Sequence, residues 1–210
     1  MRQTPLLALA ALAATLACTP EKPEAARQAI VIAVGEQSQL PVPVLKATRG
    51  RTADDEVADL LFLRLASLKA GGSTSGDSGF EPELARSWTR RDSVTLVFEL
   101  DPRARWHDGK PVTARDVQYS FRAFVDPKVA SPVAPLLSNL DSVSVRDSLT
   151  AVVWFKKHTP EQFYDVAYQL IVMPEHVYGS IPMEQLHSSE ATRHLIGSGQ
   201  FRLKEWKPGE

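Results

Sequence analysis

One stretch in the middle of the chain constrains the fold most, because it predicts a strand, a turn and a capped helix in direct succession. Residues 94–100 alternate between apolar and other side chains, which is typical of a half-buried strand. Asp108 and Gly109 form a turn signal. Thr113 with Asp116 three residues later makes a capping box, and an apolar stripe then recurs at helical spacing. That stripe consists of Val117, Phe121 and Phe124. The stretch predicts a sheet with a helix packed on it, a mixed α/β fold.

Further strands and helices are predicted on both sides of this unit. Residues 29–34 form a continuous β-branched apolar run that indicates a strand buried on both faces. Residues 142–145 and 149–155 predict a hairpin, and residues 201–206 another strand. A helix is expected to begin at Thr52, with one apolar face. That face would consist of Val57, Leu60, Leu61 and Leu65. Shorter helices are predicted at 82–88, after Pro160, and near 174–178 and 183–186.

The first 28 residues have the pattern of a lipoprotein leader followed by a tether. Residues 6–17 form an apolar run of about a dozen residues, which is too short to span a bilayer and fits a secretory signal. The run ends in Thr-Leu-Ala-Cys18, which resembles the bacterial lipobox. We therefore expect residues 1–17 to be the signal peptide, Cys18 to be acylated, and residues 18–28 to be a polar tether. The alternative is an ordinary signal peptide cleaved nearby, with Cys18 incidental.

Charge and cysteine content exclude two classes of protein. Lys and Arg number 24 against 25 Asp and Glu, so no electrostatic footprint for nucleic acid is present. The chain has one cysteine, so an internal disulfide cannot form.

Several residues invite chemical hypotheses that their context does not favour. The five histidines, at 107, 158, 176, 187 and 194, lack the spacing of metal ligands on one helix face, so no metal or cofactor is expected. Ser198 lies in Gly-Ser-Gly before a predicted strand, whereas a nucleophile elbow needs Gly-x-Ser-x-Gly between strand and helix. The glycine-rich segment 71–79 lacks the Gly-Lys-Ser/Thr of a phosphate-binding loop and reads as a hairpin loop. Trp88, Trp106 and Trp154 are expected in the core or at packing positions rather than as ligand platforms.

Three separated motifs resemble the family 5 extracellular solute-binding proteins, which bind oligopeptides, dipeptides or nickel. The densest is 100–122, Leu-Asp-Pro-Arg-Ala-Arg-Trp-His-Asp-Gly-Lys-Pro-Val-Thr-Ala-Arg-Asp-Val-Gln-Tyr-Ser-Phe-Arg. Residues 82–88, Pro-Glu-Leu-Ala-Arg-Ser-Trp, resemble the family's upstream Pro-x-Leu-Ala-x-x-Trp element. Residues 196–206 resemble its Gly-Thr-Gly-Pro-Tyr strand, with Ser198, Gln200 and Phe201 replacing Thr, Pro and Tyr.

The resemblance implies a fold and a division of labour between two lobes. Residues 29–210 would be the N-terminal part of a class II periplasmic-binding-protein-like domain, an incomplete first lobe of a two-lobe clamp. The lobes of this family close on their ligand by a hinge motion. One side of the ligand would lie near the loop after the first strand, where Gln37 and Ser38 are the expected contacts. Charged groups that grip the termini of a peptide would lie largely in the second lobe.

The function that the resemblance implies is capture rather than catalysis. We expect a monomeric, lipid-anchored substrate-binding component of an ABC importer, at the periplasmic or outer face of a bacterial membrane. It would deliver di- or oligopeptides to ABC permease subunits, with no cofactor. The alternatives are another cargo, namely a nickel chelate, heme or an oligosaccharide, and a surface lipoprotein that acts as an adaptor. The chain ends just after a turn signal at residues 207–209, which we interpret as truncation of a longer polypeptide.

Overall fold

The computed structural model describes residues 42–45 and 53–205, all within the unit Val34–Glu210. The predicted leader, Cys18, the tether, the strand at 29–34, the contacts Gln37 and Ser38, and the helix start at Thr52 lie outside the described residues. Within those ranges, no helix is long and apolar enough to cross a bilayer.

Six strands in the described ranges form two antiparallel sheets. The small sheet pairs β1 (Ala66–Leu68) with β2 (Phe80–Pro82). The large sheet is built from β3 (Ala85–Asp92), β4 (Thr95–Leu100), β5 (Leu140–Asp147) and β6 (Thr150–Phe155). Its spatial order is β3-β4-β6-β5, so β6 lies between β4 and β5 and pairs with both. The hairpin predicted around residues 146–148 is confirmed by the pairing of β5 with β6.

The helices are short except for the first two. They are α1 (Ala53–Leu61), α2 (Ala114–Val125), α3 (Gln162–Tyr164) and α4 (Glu175–Tyr178). A π-helical turn, Asp165–Gln169, continues directly from α3, and single 3₁₀ segments occupy Pro43–Leu45, Ala134–Leu137, Met183–Ser188 and Glu190–Thr192. The short helices near 162, 175 and 183 confirm the predictions for these regions.

Helix α2 confirms the sequence prediction in its start, its face and its end. The capping box of Thr113 and Asp116 is present, and the helix ends at Val125, before Asp126 and Pro127. The predicted stripe is buried, since Val117 and Phe124 are fully inaccessible and Phe121 is 7% exposed. This face packs on β5 and β6, and the core of the unit forms between the helix and the large sheet.

The helix predicted over residues 82–88 is wrong. Pro82 ends β2, and residues from Ala85 onward form β3, which pairs with β4 in a register that sets Trp88 opposite Phe98. The local sequence is helix-compatible, but pairing with a buried strand satisfies every second backbone group of the segment, and such tertiary pairing overrides weak propensity.

Three other expectations also need correction. Trp154 is not a core residue: it is 36% exposed on β6, and its Nε1 donates a hydrogen bond to Ser144 Oγ at 3.2 Å. The buried residues of α1 are Ala53, Asp55, Ala58 and Leu61, whereas Leu60 is 36% exposed and Leu65, although buried, lies beyond the helix. Residues 201–205 are not assigned to a strand.

A carboxyl group in the π-helical turn gives a pH-dependent prediction. Burial, together with the negative charge of Glu161, raises the pKa of Asp165 to about 6 from an ordinary value of 3.8. Because the pKa of the folded state is the higher one, the group stabilises the fold fully below pH 3.8, and this contribution is lost as the pH rises through 6. Asp165→Asn removes the titration.

We therefore expect Asp165→Asn to exceed the wild type in free energy of unfolding by about 1 kcal/mol at about pH 7.5, after allowing for the partial exposure of the group. The difference should disappear toward about pH 4. Urea denaturation at several pH values measures it. Glu161→Gln removes only the neighbouring charge and should give a smaller gain with the same pH dependence. A difference that stays constant with pH would contradict the prediction.

Candidate functional site

The Gly-Ser-Gly segment, residues 197–199, crosses the C-terminal end of α1 and caps it. The backbone N–H groups of Ser198 and Gly199 both donate to the carbonyl oxygen of Leu61, at 2.9 and 2.8 Å. The last carbonyl groups of a helix have no partner within the helix. The segment therefore acts as an external cap for α1.

Both glycines are required by this close backbone contact. A Cβ atom on Gly197 would lie 1.9 Å from the carbonyl oxygen of Leu61, and one on Gly199 would lie 2.4 Å from that of Leu60. Neither obstacle is a flexible side chain, so a larger residue would have to push the segment off the helix. The glycines of this motif are explained by packing.

His107 ties the same segment to the loop that follows β4. Its backbone N–H donates to Gly197 O at 2.8 Å, and Gly197 N–H donates in turn to His107 Nδ1 at 3.2 Å. Nε2 lies 2.9 Å from Gly199 O. Since Nδ1 accepts, the network assigns the proton to Nε2, which donates to that carbonyl. Both ring nitrogens are thus engaged by backbone.

A second polar contact fixes the neighbouring residue of this loop. Asp108 Oδ2 lies 2.8 Å from His176 Nε2, at the start of α4. Desolvation pushes the pKa of Asp108 upward, but hydrogen bonds from the backbone of Lys110 and from His176 outweigh it and hold the pKa below its usual value. The loop is thereby held between α4 and the Gly-Ser-Gly segment.

A partly open cavity of about 670 Å³ lies at this junction. Its volume falls in the range of small-molecule sites, roughly 300–1,000 Å³. Side chains of both charge signs line it, together with apolar ones. The lining residues are His107, Asp108, Glu190, Arg193, His194, Leu195, Ile196, Arg202, Leu203, Lys204 and Glu205. We call this cavity the His107 pocket.

The remaining sequence hypotheses find little chemical support in the described residues. Ser198 Oγ is buried there without a hydrogen-bond partner, so no base activates it. Residues 42–45 and 53–205 contain no group of three His, Cys, Asp or Glu side chains that could hold a metal ion. The glycine-rich segment 71–79 is the hairpin loop between β1 and β2, as predicted, and its Asp77 accepts a hydrogen bond from Trp88 Nε1 at 3.1 Å.

Trp88 and Trp106 take packing positions, as expected. Trp106 is 2% exposed, and Trp88 packs against Phe163 with ring centroids 4.9 Å apart. No local pattern predicted the structural role of His107, or Arg193 and Arg202 as pocket residues, because these side chains converge from segments about 90 residues apart in the chain. The only available hint was that His107 and the glycines each lie in a family motif.

The fold defines a class of protein. The mixed α/β architecture is that of the periplasmic binding proteins, and it matches solved members of that class over most of its length. AppA of Bacillus subtilis, solved with a nonapeptide, superposes with a TM-score of 0.70 at 24% identity over 85% of this chain and 34% of that one. NikZ of Campylobacter jejuni, solved with Ni(L-His), gives a TM-score of 0.69 at 24% identity over 84% of this chain and 33% of that one.

The chain belongs to family 5 of the bacterial extracellular solute-binding proteins, whose middle region matches residues 79–210. A Brucella ovis protein named as an ABC transporter peptide-binding protein is 32% identical over 126 residues, which is 59% of this chain and 24% of that protein. The periplasmic oligopeptide-binding protein OppA of Salmonella typhimurium is 27% identical over 146 residues, 61% of this chain and 26% of OppA. The chain thus spans about a quarter of the length of these relatives.

Proposed function

We propose that this chain is part of the substrate-binding component of an ABC importer, which captures di- or oligopeptides outside the cytoplasm and passes them to permease subunits. The observation that carries the proposal is the family match over residues 79–210, together with the relatives of 32% and 27% identity that are named as peptide-binding proteins. The role is one of binding, without a cofactor, and we propose a monomer.

The geometry of the junction supports this role in one specific respect. The His107 pocket is lined by Arg193, Arg202 and Lys204 as well as by Glu190 and Glu205. A peptide carries a positive amino terminus and a negative carboxyl terminus, so a pocket with both charge signs is complementary to it. A small-molecule site normally buries most of its ligand, and this pocket is partly open. We therefore infer that a second lobe contributes to the complete site.

The expected contacts Gln37 and Ser38 remain part of the proposal. They come from a loop outside the described residues, and the reason for assigning them is the family resemblance. The domain limits at 1–17, 18–28 and 29–210 are proposed on the same grounds.

Thermal unfolding with a peptide set tests the capture of peptides directly. The purified chain is heated alone and with di- to nonapeptides, while circular dichroism verifies that it is folded. A rise in Tm with peptide, reduced in Gln37→Ala and Ser38→Ala, supports the proposal, because a ligand that binds only the folded state raises Tm. A folded chain that responds to no solute would contradict peptide capture by this part of the protein alone and would favour an adaptor role for it.

A nickel chelate is the alternative cargo that a solved neighbour suggests. The solved neighbour NikZ holds Ni(L-His), although at 24% identity it shows the fold alone. The same thermal series with nickel and L-histidine distinguishes the two cargoes. A shift with the chelate and none with peptides would replace our proposal. Heme and an oligosaccharide are included in the series as further arms.

We also propose that Cys18 is acylated and anchors the protein at the periplasmic or outer face of a bacterial membrane. Metabolic labelling with an alkyne fatty acid should mark the wild type and not Cys18→Ser, and the variant should appear in the soluble fraction. Ala17→Ser is a matched control beside the cleavage point, and it should keep the label. Equal labelling of wild type and Cys18→Ser would contradict the anchor.

The absence of catalysis is likewise our proposal. The Oγ atom of Ser198, the sequence candidate for a nucleophile, is buried without a partner among the described residues, and both ring nitrogens of His107 are bound by backbone. A hydrolase would need a base within reach of the hydroxyl group. Turnover of generic esterase or peptidase substrates that disappears in Ser198→Ala would overturn this conclusion.

A further inference from the structure

A second cavity, of about 400 Å³, lies beside α2 and shares no lining residue with the His107 pocket. Its walls come from α2, from β5 and from the first residue of α4. The lining residues are Arg115, Gln118, Tyr119, Arg122, Val145 and Glu175. Arg115, Tyr119 and Arg122 follow one another at i, i+4 and i+7, so they lie along one side of α2. We call this cavity the Arg115 pocket.

Two arginines of the Arg115 pocket are available to a ligand. Arg115 and Arg122 are exposed, and neither side chain has an ion pair or a hydrogen bond with another described residue. By contrast, Arg64 pairs with Asp59 at 2.5 Å, and Arg86 pairs with Glu99 at 3.0 Å. A guanidinium group presents planar N–H donors that match the oxygens of a carboxylate or a phosphate.

Tyr119, which also lines the pocket, carries a buried hydroxyl group. Tyr119 is 2% exposed, and its hydroxyl has no hydrogen-bond partner among the described residues. Burial raises the pKa of Tyr119 to about 12, with the charge of Arg122 acting in the opposite direction and that of Glu175 in the same one. The hydroxyl therefore keeps its proton at neutral pH and lies within electrostatic reach of both charged neighbours. A buried donor of this kind calls for an acceptor.

The other two polar residues limit what the pocket can hold. Gln118 Nε2 donates to the carbonyl oxygen of Val143 at 2.8 Å, so its amide is fixed against β5. Glu175 brings one carboxylate, which the two arginines outweigh, and its backbone N–H is already bound by Asp116 at 2.8 Å. The pocket keeps a net positive charge and a volume suited to a small group.

We propose that the Arg115 pocket binds a small oxyanion, a carboxylate or phosphate group, between Arg115 and Arg122, with the hydroxyl of Tyr119 donating to it. The site is separate from the proposed peptide site and stands independently of the cargo. A phosphate group can belong to a free solute or to the headgroup of a phospholipid, and the chemistry of recognition is the same for both.

Isothermal titration calorimetry of the 210-residue chain with sodium phosphate and with sodium succinate tests the proposal, beside flotation with vesicles of phosphatidylglycerol. Charge-assisted hydrogen bonds lead us to expect that Arg115→Gln with Arg122→Gln weakens binding by about tenfold or more. Tyr119→Phe should weaken it by about three- to tenfold. Both arginines are exposed, so the double variant should remain folded.

A matched control separates a built site from general attraction. Arg90 and Arg91 are exposed on β3, and Arg90→Gln with Arg91→Gln removes the same charge from another surface. This control should bind as the wild type does. Titration by the free anions points to a solute, and binding to vesicles alone points to a phospholipid; either result supports the site if the Arg115 and Arg122 variant loses it. Failure of all three probes, or an equal loss in the control, would overturn the proposal, while the peptide series would be unaffected.

Discussion

Gly197→Ala is expected to lower the free energy of unfolding by about 3–5 kcal/mol, because it combines a backbone clash with the loss of several hydrogen bonds. The new Cβ would lie 1.9 Å from the carbonyl oxygen of Leu61, which cannot move without bending the end of α1. Displacing the segment would also break the cap made by Ser198 and Gly199 and the two bonds that Gly197 makes with His107. Urea denaturation followed by tryptophan fluorescence measures the loss.

Two control variants in the same assay separate the clash from other effects. Gly76→Ala faces open space at a φ of 74°, so it should cost only the strain of a left-handed residue, about 1–2 kcal/mol. Ser198→Ala removes a hydroxyl that has no hydrogen-bond partner in the described part of the chain, so it should stay within about 0.5 kcal/mol of the wild type. Equal losses in Gly197→Ala and Gly76→Ala would show that the contact with α1 is not what requires the glycine.

Local signals predicted the parts of the fold whose stabilisation is local. The cap at Thr113, the apolar stripe of α2 and the turn of the β5–β6 hairpin each lie within a few residues of the sequence that specifies them. Elements that depend on distant partners were predicted less well. Residues 85–88 form a strand because β4 offers them a ladder, and Trp154 is exposed on β6, where Ser144 of β5 accepts the hydrogen bond of its indole N–H.

The candidate sites depend even more on contacts between distant parts of the sequence. The His107 pocket joins residues 107–108 to residues 190–205, and the Arg115 pocket joins α2 to β5 and α4. Periodicity indicated that Val117 and Phe121 face the core, and it left Arg115 and Arg122 on the opposite, solvated side. Which other elements would complete a concave surface there depends on the topology, and no local spacing encodes it.

The carboxylate of Asp116 accepts hydrogen bonds at the start of two helices, α2 and α4. Removing it should cause the second large loss in the free energy of unfolding. Asp116 is 3% exposed; its Oδ2 accepts the Thr113 N–H at 2.7 Å, at the start of α2, and its Oδ1 accepts the Glu175 N–H at 2.8 Å, at the start of α4. Four residues further along α2, Ser120 Oγ accepts the N–H of Met173 at 2.7 Å. One turn of α2 therefore holds residues 173–175 in place.

Asp116→Ala should lower the free energy of unfolding by about 3–4 kcal/mol, because it leaves two backbone donors without an acceptor in the core. Desolvation raises the pKa of Asp116, although hydrogen bonds from Glu175 and Thr113 oppose it, so the negative charge itself is not what stabilises the fold. Asp116→Asn, which keeps one acceptor oxygen without the charge, should consequently lose less than the alanine variant.

Two other variants serve as comparisons. Ser120→Ala should lose about 1–2 kcal/mol, and Asp141→Ala, which removes an exposed carboxylate on β5, no more than about 0.5 kcal/mol. Equal stability of Asp116→Ala and Asp141→Ala in urea denaturation would show that the shared hydrogen bonds at the starts of α2 and α4 do not stabilise the fold. The contact between His176 and Asp108 would then have to be positioned by other residues.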